Sequence, residues 1–414
     1  MIKKNLVIAL RNFWRNKVFS VINVLGLSIG ISASLVIFLI VHYEMSYDKD
    51  VKDGNRVYRV VMDMKFNGDE GHSSAVPAPL AEAIQNEMTG IEKTIPLFTF
   101  QGDGTAKIAI IRNDPSKPVV FKKQPNMVFT NAQYLQMRGY KWLAGSPQNA
   151  MKQPFSTVLT ESKAQQYFPG LSYDEITGKQ IKYNDDITTT VTGIVADLHE
   201  RSTFNADEFI SVATIGKTHL QDNFMMNVWN DWMAYSSVWV ELAKGTKLTA
   251  AEQQLNTLYA KYNKDAHKDA ANYIALKLQP LSDVHFNSQY GGFNTRVVHR
   301  NTMYGLLAIA AFLLLLGCIN FVNLTTAHAA RRAKEVGIRK TMGSSKKQLV
   351  LQFISETFLF TLLATMLSVV ITPLLLKMFA DFTPPGLNAG MLYTTATVIF
   401  LLALLVTVSF VAGL

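Results

Sequence analysis

Four stretches of this chain are long and apolar enough to cross a bilayer, which excludes an ordinary water-soluble globule. A helix needs roughly 20 predominantly apolar residues to traverse about 30 Å of hydrocarbon. Val18 to Val41, Thr302 to Ala327, Thr357 to Leu376 and a run starting near Met391 meet that requirement, and none contains Asp, Glu, Lys or Arg. The first run continues for about 24 residues without a small-x-small cleavage site, against roughly 7 to 15 for the apolar part of a signal peptide, so it is expected to stay as an anchor. The 49% apolar content and mean hydropathy of +0.12 average these spans with a polar centre.

Charge placement orients the spans. Lys3, Lys4, Arg11, Arg15 and Lys17 precede the first without any acid, whereas Glu44, Asp48, Asp50 and Asp53 follow it. Cationic loops stay cytoplasmic, so the start of the chain is placed inside the cell. Arg331, Arg332, Lys334, Arg339, Lys340, Lys346 and Lys347, against Glu335 alone, place the loop between the second and third spans on the same side. These two segments carry five and a net six positive charges, which exceeds the whole chain's +9. The basic pI of 9.3 therefore reports cations beside anionic lipid headgroups, and no nucleic-acid partner is expected.

The expected fold class is a membrane protein with four α-helical spans and a large α+β periplasmic domain inserted between spans 1 and 2. Residues 1–17 read as a cytoplasmic interfacial helix, with Leu6, Leu10, Phe13 and Trp14 at helical spacing. Residues 18–42 form span 1, 43–300 the external domain, 301–327 span 2, 328–350 a cytoplasmic loop, 351–379 span 3, 380–390 a short external loop, and 391–414 span 4. Within the external region, Arg56–Val61 alternates like a strand and Pro79–Ile84 reads as a helix. Thr160 is placed to cap a helix ended by Pro169-Gly170, and Thr188–Val195 is rich in β-formers around Gly193. Thr249–Tyr262 is helical in pattern, with Leu255, Leu258 and Tyr262 on one side. Together these suggest an α+β domain of two lobes. The uncharged final run, ending at Leu414 without a turn signal, suggests a fragment of a longer protein.

Motifs for catalysis are lacking. His199-Glu200 begins a zinc-helix pattern, but Thr203 stands where the second histidine would be. The eight histidines are scattered, and Asp63, Asp185 and Asp186 read as solvated turn or strand residues. No phosphate-binding P-loop occurs, and Ser344-Ser345-Lys346-Lys347 reads as a helix start followed by cations. The single cysteine, Cys318, lies in the second span, so the external domain holds no disulfide. No catalytic residue, resident cofactor or metal is expected.

Three features within the membrane part suggest helix contacts. Gly26 and Gly30 form G-x-x-x-G, extended by Ser34, and a strip without side chains suits close packing, either on a second protomer or on a neighbouring span. Asn320 and Asn323, three apart in the second span, are placed to bond across helices or simply to pack. Glu356, about one turn into the third apolar helix, is placed either at headgroup depth or beside Lys346 or Lys347.

Between Ala327 and Glu356 a membrane helix runs into a basic amphipathic piece, turns at Gly343-Ser344-Ser345 and re-enters the bilayer. Gly343 suits a helix C-terminus and Ser344 or Ser345 the next N-cap. Ala329, Ala333, Val336 and Lys340 share one face while Arg331, Arg332 and Arg339 project elsewhere, a pattern suited to docking a cytoplasmic partner or to resting on lipid.

The run Arg332 to Ser345, R-A-K-E-V-G-I-R-K-T-M-G-S-S, resembles the loop signature of FtsX/MacB-type ABC permeases, and Gln348 to Glu356 continues the match. Ala9–Asn12 through Gly26–Gly30, Tyr43-Glu44-Met45-Ser46-Tyr47-Asp48, and Val158–Ser162 resemble the same family, in its Bacteroidota-like form. The resemblance implies a MacB-like periplasmic core domain in an inner-membrane permease, without a nucleotide site of its own. It implies a separate cytoplasmic ATPase that binds ATP and Mg, and pairing with a second permease protomer or a second repeat. By this likeness Arg331, Arg332, Glu335, Val336, Gly337, Ile338, Arg339, Lys340, Met342 and Gly343 form the coupling segment that meets the ATPase. Membrane lipids, and a periplasmic adaptor or outer-membrane protein, are further implied partners. Implied roles range from export or extraction of peptide, lipoprotein or toxic compounds to an envelope sensor or scaffold that moves no cargo.

Overall fold

The computed structural model describes residues 11, 13–14, 17–100, 104–111, 117–198, 201–203, 206–264, 267–269, 272–291, 297–327, 337–338, 340–343 and 345–413. The chain divides into a helical unit, made of residues up to Ser46 and from Arg300 onward, and a second unit spanning Tyr47–His299.

The helical unit holds α1 (Lys17–Glu44), and later in the chain three further long helices. Among the described residues, three helices of this unit are long and apolar enough to cross a membrane: α1, Arg300–Ala327 and Lys346–Met378. The third starts about ten residues before the apolar run read from sequence, because Ser345 caps it and the cationic first turn continues as helix. The last, Thr395–Gly413, is shorter than the span read from sequence. Residues Met391–Tyr393, placed at its start by hydropathy, instead belong to a 3₁₀ turn, Ala389–Tyr393, at which the Asn388 side chain accepts from Gly390 N–H. Its apolar core gathers Leu27 and Ile31 with Cys318, Ala364, Leu404 and Val408, so α1 meets each of the other three helices. The ring of Phe38 stacks on Phe400, centroids 4.0 Å apart.

The second unit is built on strands β1 (Val57–Phe66), β2 (Asp69–Ser73), β3 (Ile91–Phe98), β4 (Ala106–Ile110), β5 (Val119–Gln124), β6 (Met127–Thr130), β7 (Trp142–Gly145), β8 (Ser156–Thr160), β9 (Gln180–Tyr183), β10 (Ile187–Val195), β11 (Glu208–Ser211), β12 (Ser236–Leu242), β13 (His267–Asp269) and β14 (Asn272–Pro280). Its helices are α2 (Leu80–Glu87), α3 (Ala132–Arg138), α4 (Glu161–Tyr167), α5 (Tyr173–Ile176), α6 (Leu220–Asn223), α7 (Leu248–Tyr262) and α8 (Leu281–Val284). Three helices of the other unit then follow: α9 (Arg300–Ala327), α10 (Lys346–Met378) and α11 (Thr395–Gly413).

The strands join one sheet in the order β13-β14-β1-β12-β3-β6-β11-β8-β10-β9-β4-β5, with β2 on β1 and β7 on β10. Two pairs, β6 with β11 and β8 with β10, are parallel, as helical crossovers require; the others are antiparallel. Two lobes read from sequence are thus carried by one hydrogen-bonded sheet. Its apolar residues fall into three clusters, around Phe98, Phe129, Ile194 and Phe224, around Val60, Val240, Leu255 and Leu276, and around Val57, Tyr134, Phe209 and Trp239.

Local signals place most of these elements. Thr160, the last residue of β8, is extended and stands at the N-cap position of α4, though its side chain makes no cap hydrogen bond, and Gly170 takes φ +80 beyond the helix. One side-chain placement differs: Leu255 and Leu258 of α7 are buried, but Tyr262 is exposed and Tyr259 fills the core. Tyr262 is the last residue of the helix, where its hydroxyl donates to Glu87 and its ring stacks on Trp229.

Candidate coupling elements

The segment joining α9 to α10 carries all the residues assigned to ATPase docking. Arg331, Arg332, Glu335, Val336 and Arg339 lie outside the described residues. Gly337, Ile338 and Lys340 are helical and exposed, and no atom lies near where a Gly337 side chain would project. Ile338 and Met342, four apart and so on one face, are 52% and 80% exposed. The turn closes with Met342 N–H on Ile338 O at 3.1 Å and Gly343 N–H on Lys340 O at 3.1 Å, and Gly343 takes φ +89, which a side chain would strain. Ser345 then starts α10 through a reciprocal cap: Gln348 N–H donates to Ser345 Oγ and Ser345 N–H to Gln348 Oε1. The described part of the segment is therefore an exposed helical end, and α10 begins with a cap of its own.

The glycine strip of α1 faces α9. A Cβ on Gly30 would lie 3.2 Å from the Leu313 carbonyl oxygen and 3.7 Å from Cα of Gly317, and one on Gly26 would lie 2.9 Å from the Asn320 side-chain nitrogen. Ser34 continues the strip by donating to Ala310 O at 2.8 Å. Gly317, absent from the sequence reading, is the reciprocal small residue; its match to Gly30 shows only when the two helices are side by side. Asn320 and Asn323 are exposed on α9, and among the described residues neither hydrogen-bonds across helices, although the Asn320 side-chain nitrogen lies against Gly26 of α1. Glu356 is buried on α10, while Lys346 and Lys347 are exposed. Nine residues of helix, about 13 Å of rise, separate Lys347 from Glu356, too far for the pairing read from sequence.

A hydroxyl ladder on α10 was also missed. Thr357, Thr361, Thr365, Ser368 and Thr372 are buried, and each donates to a carbonyl three or four residues back on its own helix. Such residues let helices approach closely without leaving a polar group unmet in hydrocarbon. Their three- and four-residue spacing was the available sequence signal.

In the Tyr47–His299 unit the buried charges are met by side chains. Glu241 accepts from Arg56 at 2.6 Å and from Lys93 at 2.5 Å. Arg59 donates twice to Gln279 Oε1, and burial pulls its guanidinium down to about 10. Glu208 is wholly buried between the hydroxyls of Tyr167 and Tyr183, both donating to it. Burial pushes its carboxyl above the usual range, against the Tyr183 hydrogen bond and the charge of Lys163. The same burial, with Glu208 beside them, pushes both tyrosines up. This group sits inside the first apolar cluster, so its chemistry is that of a core polar network. Among the described residues no three His, Cys, Asp or Glu side chains gather as a metal site requires. His199 and Glu200 lie outside the described residues; Asp185, in a left-handed turn, pairs with Lys107.

The sequence matches two family profiles in succession: a MacB-like periplasmic core domain over residues 20–258 and an FtsX-like permease C-terminal region over residues 307–414. Among curated proteins, the macrolide export ATP-binding/permease proteins MacB 2 of Yersinia pestis bv. Antiqua (strain Antiqua) and MacB 1 of strain Nepal516 are 26% identical over 170 residues. The match spans 39% of this chain and 24%, about a quarter, of the length of those relatives. Among solved structures, a domain described as belonging to a permease protein from Porphyromonas gingivalis aligns over 62% of this chain and 99% of its own, with 20% identity and a TM-score of 0.44. The periplasmic region of MacB from Actinobacillus actinomycetemcomitans aligns over 54% and 89%, with 16% identity and a TM-score of 0.33.

Proposed function

The chain belongs to the FtsX/MacB-type ABC permease family, and from that premise we propose that it carries ATP-driven motion from a separate cytoplasmic ATPase to its periplasmic domain. The observation that carries this reading is the succession of a periplasmic core domain and a permease region in one chain. ATP and Mg bind to the ATPase, and this chain supplies the mechanical part. The exposed turn from Gly337 to Gly343 is the docking end: closure of the ATPase pair displaces it, and the cap at Ser345 makes α10 move with it. The close fit of Gly26 and Gly30 on α9 then makes α1 and α9 shift as one body.

In this reading four helices cross the inner membrane, with the N-terminus and the α9–α10 segment in the cytoplasm and Tyr47–His299 in the periplasm, as the cation distribution supports. A second protomer or second repeat completes the permease, and lipids hold the basic N-terminal segment. The matched relatives are macrolide exporters by name; the cargo class proposed here is broader, namely peptide, lipoprotein or toxic compounds of the envelope.

Co-purification of the full-length protein from membranes tests this, comparing wild type with a Gly337→Asp, Arg339→Glu double variant. Retention of an ATPase by wild type and its loss from a folded variant is the expected result. If neither form retains an ATPase in gentle detergent, a sensor or scaffold acting without ATP replaces the permease reading.

A further inference from the structure

Among the buried acids of the Tyr47–His299 unit, Glu208 is met differently from the others. Glu241 has Arg56 at 2.6 Å and Lys93 at 2.5 Å, and Asp48 has Arg138 at 3.5 Å. Glu208 instead has two neutral hydroxyls: Tyr167 donates to its Oε2 at 3.0 Å, and Tyr183 donates to its Oε1. All three side chains are wholly buried. The ammonium of Lys163 is turned elsewhere, donating to Gln124 Oε1 at 3.2 Å and lying 5.4 Å over the Tyr167 ring. Among the described residues no cation pairs with Glu208.

The titratable groups around this carboxyl are few. Helix α4 presents Tyr167 and Lys163, β9 presents Tyr183, and Asp207, just before β11, accepts from Asn126 Nδ2 at 3.1 Å. Strands β6, β8 and β10 carry no titratable side chain. Burial, and then the Glu208 carboxylate, push both tyrosines up, so they stay protonated. An ionised Glu208 accepts from both of them, yet its charge stands in a dry site without a counter-ion. A protonated Glu208 both donates and accepts, which keeps it hydrogen-bonded and removes that charge. The folded site therefore favours the neutral acid, in line with burial pushing this carboxyl above its usual range.

The same group joins elements that the sheet leaves apart. Glu208 begins β11, Tyr183 ends β9 and Tyr167 ends α4, while β8 and β10 lie between the two strands. Beyond β9 the sheet continues through β4 to the edge strand β5.

We propose that Glu208, Tyr167 and Tyr183 form a proton-operated clasp: with Glu208 neutral, α4 and β9 are held on β11, and on its ionisation they loosen, so the packing of this end of the sheet follows the acidity of the surroundings. Linkage fixes the direction. A carboxyl that is easier to protonate in the closed site than in an opened, wetted one favours closure below the ordinary glutamate value, and closure weakens as pH rises through the raised one. The clasp lies within one unit and does not depend on the mechanical reading above.

Hydrogen exchange on the full-length protein tests it, expressed as protection factors at about pH 5 and about pH 8 so that the pH dependence of the exchange chemistry cancels. Wild type is expected to show at least about threefold higher protection in α4 and β9 at the acid value. Strand β14 and α7, which pack together at the other end of the sheet, are expected to change by less than about 1.5-fold. Glu208→Gln, with an amide in place of the neutral acid, keeps the high protection at both values. Tyr167→Phe costs the ionised form more than the neutral one, because hydrogen bonds to a charged acceptor are the stronger, so it widens the wild-type difference. That variant decides the question if Glu208→Gln fails to fold. A wild-type difference that is absent, reversed or equally large in β14 and α7 overturns the clasp. So does a Glu208→Gln protein that keeps the wild-type response, or a Tyr167→Phe response no larger than that of wild type.

Discussion

In the periplasmic domain a buried acid is met by distant parts of the chain: Glu241 by Arg56 and Lys93, Asp48 by Arg138, Ser202 and Thr203, Glu208 by Tyr167 and Tyr183. In the helical unit the buried hydroxyls of Thr361, Thr365, Ser368 and Thr372 turn back on their own helix, and close contact is made by Gly26, Gly30 and Gly317. The difference follows from the solvent. A water-facing domain assembles its sheet from segments far apart in sequence, so its polar groups find partners across the fold. A membrane helix must satisfy its polar groups before it meets a neighbour, and what remains to favour association is close packing. A polar substitution should therefore be costly in the first unit and a steric one in the second.

The largest effect is expected for Asp48→Ala, which strands buried Arg138 and leaves the Thr203 donors without their acceptor. A cost of about 3–5 kcal/mol is expected, read as a lower urea midpoint of tryptophan fluorescence; four of the five tryptophans, Trp142, Trp229, Trp232 and Trp239, lie in this domain. An unshifted midpoint would break the comparison on its polar side. On the steric side, Gly30→Leu forces a side chain against the Leu313 carbonyl and should cost about 2 kcal/mol. Cys318, buried beside Leu27 and Ile31, reports it: maleimide labelling should accelerate, and an unchanged rate would mean that α1 does not depend on close approach to α9.

Glu208→Gln sharpens the contrast, with a smaller effect of opposite sign. A carboxyl whose folded-state pKa is raised binds more protons folded than unfolded as pH climbs above the ordinary glutamate value, so it costs stability through that window. The variant should match wild type below that value and become progressively more stable than wild type as pH rises to neutral, in paired denaturation curves. A constant offset at all pH values would mean that hydrogen bonding, not charge burial, governs the site. The smallest change, about 1 kcal/mol, is expected for Ser345→Ala, seen as faster amide exchange over Lys346–Leu349 with the rest of α10 unaffected.

Legibility differed between the units for the same physical reason. The membrane helices and the Gly343–Ser345 turn were readable because hydropathy, charge and capping act within a few residues. Elements such as α4 and β10 were readable from Thr160, Pro169-Gly170 and the run Thr188–Val195, again by local signals. Tyr262 was misassigned because helix phase gives a direction but not what stands there. Gly317 and the ladder from Thr357 to Thr372 were visible as residue types at helical spacing, yet their use depends on which helix lies alongside. Nothing in the spacing of Asp48, Arg138, Ser202 and Thr203, separated by up to 155 positions, announces a cluster.

By itself the sequence determined that this is a membrane protein with apolar spans, a basic segment between two of them and a large polar domain, because burial in lipid and charge asymmetry are properties of contiguous residues. Only the tertiary structure decided that the glycine strip meets α9, that Glu208 lies between two tyrosines, and that Asp48 meets Arg138, Ser202 and Thr203. Those contacts depend on non-local closure of the chain, and the loss of chain entropy on closing a loop grows only slowly with its length, so partners far apart in sequence are nearly as accessible as closer ones.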